Sequence, residues 1–132
     1  MVLDTNVLMS GIFFGGPPHL ILEAWRSGRL ALVLTPEIFE EYWLVGLRLN
    51  EKYPRVDANP FLALIAANGE LVSVPELTVP VCEDPSDDKF LACAIGAKAP
   101  TIVSGDSHLL HVDGFQGVQI LTPRLFVDDY LV

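Results

Sequence analysis

Apolar positions along the chain fall into two kinds of run. Short, largely apolar runs over 1–4, 30–34, 70–74, 101–104 and 118–121 have the length and content of strands, and 30–34 is continuous enough to be buried on both faces. Between them lie longer stretches with apolar residues at helical spacing. The first, over 6–14, ends at Gly15-Gly16 and Pro17-Pro18, and the next runs from Pro18 through His19, Leu22 and Trp25 to Gly28. Thr35-Pro36 opens a third, with Ile38, Phe39, Tyr42, Trp43 and Val45. Asn59-Pro60 opens a fourth, closed by Asn68-Gly69. Ser86 is expected to cap a helix over 87–99, and 123–131 closes the chain. The proline-punctuated segment 75–85 reads as a loop. Strands alternating with helices predict an α/β sandwich on a mainly parallel sheet of about five strands, in one domain over 1–132.

Composition narrows this further. Of 132 residues, 51% are hydrophobic and 19% charged, which excludes a disordered chain. No run approaches the roughly 20 apolar residues of a membrane span, and no basic segment precedes Asp4, so a cytoplasmic protein without membrane contact is expected. Cys82 and Cys93 are too few for a disulfide framework or zinc site and read as buried thiols. Seventeen acids against eight bases give a net charge of −9. That argues against a basic nucleic-acid surface, unless some of the acids gather and bind a cation.

Ligands of open α/β sheets collect at the carboxyl ends of the strands, and two acids fall there. Asp4 closes the first strand. Asp106 follows the fourth, after Gly105, a residue that permits a sharp turn or close approach. Two pairs, Glu40-Glu41 and Asp87-Asp88, lie in helices at the same edge. Helical spacing leaves open which member of each pair points inward. Each acid alone reads as a capping or dipole-compensating residue. Three or four together cannot all stay ionised without a cation, and carboxylates suit Mg²⁺ or Mn²⁺. Such ions can activate water and stabilise the departing oxygen of a phosphodiester.

Four segments carry a resemblance. Leu3-Asp4-Thr5-Asn6-Val7-Leu8 resembles the opening motif of PIN-domain nucleases, which include the VapC-type toxins of toxin–antitoxin pairs. The stretch Thr35 to Tyr42 is similar to their second motif, Pro85 to Ala94 to the third, and Val103 to Leu110 to the fourth. The resemblance implies a PIN-like three-layer fold with strand order 3-2-1-4-5, metal-binding catalytic acids Asp4, Glu41, Asp88 and Asp106, and polar neighbours Thr5, Asn6 and Ser104, with Asn6 bracing the Asp4 loop. It implies a Mg²⁺- or Mn²⁺-dependent ribonuclease leaving 5′-phosphate and 3′-OH ends, with RNA as substrate and an antitoxin protein as partner. Trp43 and Leu47 fall on one side of their helix and Ile38, Val45 and Leu49 on another, so a homodimer is expected. Lys52 and Arg55, and the histidines His19, His108 and His111, read as solvated surface. A degenerate, non-catalytic partner-binding module is the alternative. A phosphoryl-accepting receiver domain ranks below both, because no lysine follows the fifth strand.

Overall fold

The computed structural model describes residues 1–77 and 79–131. Among the described residues, five short parallel strands and seven α-helices follow along the chain: β1 (Val2–Leu3), α1 (Thr5–Phe13), α2 (Pro17–Arg26), β2 (Val33–Leu34), α3 (Pro36–Lys52), α4 (Asn59–Asn68), β3 (Glu70–Leu71), α5 (Asp88–Gly96), β4 (Thr101–Val103), α6 (Ser107–Leu110), β5 (Gln119–Leu121) and α7 (Pro123–Tyr130). The expected α/β alternation is present, with each strand shorter than its apolar run. The single five-stranded sheet is not. The strands instead form a three-stranded sheet in the order β1-β4-β5 and a two-stranded sheet of β2 and β3.

The two sheets meet at the chain start. The Val33 N–H donates to the Met1 carbonyl at 2.9 Å, and the Met1 ammonium donates to the Ala31 carbonyl at 2.9 Å. Leu30 and Ala31 fall outside the ladder that the apolar run suggested. Leu3 pairs with Val103, and Val103 with Leu121, so β1, β4 and β5 end at one level.

The core explains the element choice. Val2, Leu3, Leu34, Ile102 and Val103 are buried on the strands, and α5 lays Phe90, Leu91, Cys93 and Ala94 against them. Helix α3 begins where Thr35 accepts a bond from the Ile38 N–H and Pro36 fills the first turn. Its buried face carries Ile38, Tyr42 and Gly46. A side chain at Gly46 would stand 3.2 Å from Leu62, so glycine lets α3 approach α4 closely. The buried Tyr42 hydroxyl donates to the Leu3 carbonyl at 2.6 Å, tying α3 to the strand that carries Asp4. Cys82 and Cys93 are free and buried. Burial pushes their thiols up to about 12 and about 11, so they behave as small apolar groups.

Candidate functional site

Strand pairing sets the first part of the site. The Asp4 N–H donates to the Val103 carbonyl, and the Ser104 N–H to the Leu121 carbonyl, which carries the ladder one residue past each strand. Asp4 and Ser104 therefore stand side by side although 100 positions apart, and the Ser104 hydroxyl donates to Asp4 Oδ2 at 2.7 Å. Ser104 Oγ in turn accepts from the Asp106 N–H at 2.9 Å. Asp4 stands at the N-terminus of α1 but makes no side-chain capping bond there, so capping does not explain it. Burial, and then the charges of Asp106 and Glu41, raise its carboxyl above the usual range, against the lowering effect of Ser104.

Asp106 does cap. Its Oδ1 accepts from the His108 N–H at 2.8 Å and starts α6. Gly105 needs no glycine geometry: its φ is not positive and a side chain would meet nothing within 4 Å. The expected special role of Gly105 is therefore absent.

Of the Glu40-Glu41 pair, Glu41 turns to the cluster. Its Oε2 accepts from the Thr5 hydroxyl and its Oε1 lies 3.2 Å from Lys89 Nζ. Glu40 is exposed.

The third motif departs most from expectation. Asp84, not Ser86, supplies the cap. Its Oδ1 accepts from the Ser86 N–H and hydroxyl, an Asx turn that leads into a single 3-10 turn over Pro85–Asp87. The α-helix consequently starts at Asp88, and the two aspartates diverge. Asp88 turns to the loop before it, where its carboxylate accepts from the Val81 and Cys82 N–H groups at 3.1 and 2.7 Å. Asp87 turns to the cluster. Its Oδ2 is buried without a hydrogen-bond partner. Burial, followed by the charges of Asp106, Asp4 and Asp84, pushes its carboxyl up to about 6. An orphaned carboxylate oxygen facing other acids fits a bound cation better than a bare pocket.

Three further groups belong to this region. His108, read from sequence as surface, packs between acids: Nδ1 stands 3.7 Å from Asp106 Oδ1 and 3.9 Å from Asp87 Oδ2, and Nε2 is 3.6 Å from Glu83 Oε2. Asp84, Asp87 and His108 offer ligand atoms all within 4.8 Å of one another. Lys89 is almost fully buried beside Glu41. The Asp84-Pro85-Ser86 turn was the one sequence signal that could have moved the helix start and exposed Asp87. Among the described residues no side-chain hydrogen bond ties Asn6 to the Asp4 loop. Asn6 is exposed and lines a cleft of about 310 Å³ with Ser10, Gly105 and Asp106.

The fold and site together define an α/β protein that gathers carboxylates over the carboxyl ends of its parallel strands, where such folds bind ligands. The family narrows from there. The family model of the PIN domain matches residues 1–108, and the chain belongs to the PIN-domain family. Its members are generally metal-dependent nucleases, and the acidic cluster here can hold a metal. No curated protein and no solved structure matches the chain. No single helix among the described residues is long and apolar enough to cross a membrane.

Proposed function

We propose that this chain is a Mg²⁺- or Mn²⁺-dependent ribonuclease that hydrolyses phosphodiester bonds to 5′-phosphate and 3′-OH ends, acting in the cytoplasm as the toxin of a toxin–antitoxin pair. The observation that carries the reading is the buried Asp87 Oδ2, which has no hydrogen-bond partner and belongs to a carboxyl that burial and the charges of Asp106 and Asp4 push up to about 6. Oxygen donors without sulfur suit a hard dication. Asp4, Asp87 and Asp106 would hold it, with Asp87 taking the place expected of Asp88. When bound, the dication supplies polarisation of water and phosphate and stabilises the leaving oxygen's charge.

The chain's own groups prepare that site. Ser104 fixes Asp4 and the Asp106 main chain through one hydroxyl, donating to the first and accepting from the second. Thr5 and Lys89 hold Glu41 at the border. In the reaction, water's oxygen forms the new bond to phosphorus, the bond from phosphorus to the 3′ oxygen breaks, and that oxygen gains a proton. The 2′-OH is not the nucleophile, so no 2′,3′-cyclic end forms.

The partner proposals rest on α3. Trp43, Leu44 and Leu47 are exposed on it, opposite the buried Ile38 and Tyr42. This apolar strip is our proposed face for a homodimer, with an antitoxin as the regulatory partner. Light scattering after size exclusion tests the dimer, and a monomer at micromolar concentration rejects it. The activity is tested by incubating the metal-stripped chain with RNA, with and without Mn²⁺. Cleavage that persists in excess EDTA, or cyclic phosphate ends, would sink the reading.

A further inference from the structure

Glu41 differs from Asp4, Asp87 and Asp106 in having both oxygens engaged. Oε2 takes the Thr5 hydroxyl and Oε1 faces Lys89 Nζ at 3.2 Å. Among the described residues, Asp4 is engaged through Oδ2 and Asp106 through Oδ1, which leaves each a second oxygen, and Asp87 Oδ2 has no hydrogen-bond partner. The cluster thus has an end that is already neutralised and an end that is not.

Lys89 is no casual surface cation. Its side chain is 9% exposed, Nζ also donates to the Ser86 carbonyl, and Nζ stands 5.0 Å from the centre of the Phe90 ring. The Ser86 carbonyl belongs to the same 3-10 turn that presents Asp87. One ammonium is therefore fixed between the turn carrying Asp87 and the helix carrying Glu41. It does at Glu41 what a second dication would do there: it balances charge beside a partly buried carboxylate. With the ammonium beside one oxygen and the Thr5 hydroxyl on the other, Glu41 has part of its charge offset and fewer free lone pairs for a second dication.

We infer that Lys89 is a built-in cation of the site. The chain takes up one divalent ion at rest, on Asp4, Asp87 and Asp106, and a second at Glu41 only when Lys89 is displaced. This rests on the metal-binding reading above, and Lys89 acts as a positioning residue for Glu41.

Calorimetric titration of the metal-stripped full chain with Mn²⁺ tests it. The wild type and Lys89→Arg should take one ion per chain, and Lys89→Met two. Independently of whether Lys89→Met folds, Glu41→Gln should leave the affinity of the wild-type ion within roughly threefold, whereas Asp4→Asn should weaken it by roughly tenfold or more. Two ions in the wild type, a single ion in folded Lys89→Met, or equal weakening by Glu41→Gln and Asp4→Asn would each overturn the inference while leaving the nuclease reading standing. No uptake by the wild type would instead remove the metal reading on which both depend.

Discussion

On the β1–β4 side of the site, main-chain ladder bonds set Asp4 and Ser104, and both are buried. On the α5 side, a three-residue 3-10 turn sets Asp87, and Asp84, which caps that turn, is exposed. The strand side tolerates no slip, since moving one residue along a strand reverses the direction of the side chain. The turn side is decided locally. Moving the helix start by one residue would rotate its acids by about 100° and exchange Asp87 for Asp88. The same kind of residue is therefore held by long-range pairing on one side and by an Asx turn on the other.

The comparison predicts unequal losses. Asp4→Asn should have the largest effect, lowering metal-dependent RNA cleavage by on the order of 10³-fold, because it removes a charge from the most rigid part of the site. Asp87→Asn should cost less, on the order of 10²-fold, since its turn can adjust. Single-turnover rates at saturating Mn²⁺ measure both. Equal losses would mean that strand and turn fix their acids alike.

Asp88 sharpens the contrast. Its carboxylate ties the Val81 and Cys82 N–H groups to the start of α5. Asp88→Ala should leave those donors without their partner and destabilise the fold by about 2 kcal/mol, read from urea unfolding. Cleavage by the folded fraction should stay within roughly threefold of wild type, because both Asp88 oxygens are engaged by the loop N–H groups. A loss as large as that of Asp87→Asn would restore Asp88 to the site.

The same division governs what could be read from the residues alone. Asp4 and Asp106 were legible because each follows an apolar run whose end is fixed by sheet pairing. Helix α3 was legible from Thr35-Pro36 and from the spacing of Ile38 and Tyr42. The choice between Asp87 and Asp88 was not, because one side-chain bond from Asp84 decides where the helix begins. The surface reading of His108 fits its 39% exposed side chain, but the acids around it were not legible, since Glu83 lies in a loop whose path no periodicity reports. The split sheet was equally hidden: apolar runs suggest strands, not how many residues of each enter a ladder, and the strand in the run over 70–74 is exposed.

The smallest expected effect tests the turn side through its charge. In the metal-stripped chain Asp87 titrates near 6, against 3.8 when unperturbed. The folded state thus holds this proton more tightly than the unfolded state does. The stability linked to the proton is fully present below 3.8 and is lost as pH rises through about 6. Between pH 5 and 7.5 the wild type should therefore lose melting temperature relative to Asp87→Asn, by a few degrees. The raised carboxyl of Asp4 acts in the same direction, but it is common to both chains and largely cancels. Saturating Mn²⁺ at pH 7.5 should reverse the ranking, since only the wild type keeps all three aspartates to offset the ion's charge. A difference that stays flat across this pH range, and does not respond to Mn²⁺, would show that Asp87 does not feel Asp4 and Asp106. The turn would then be a helix start and nothing more.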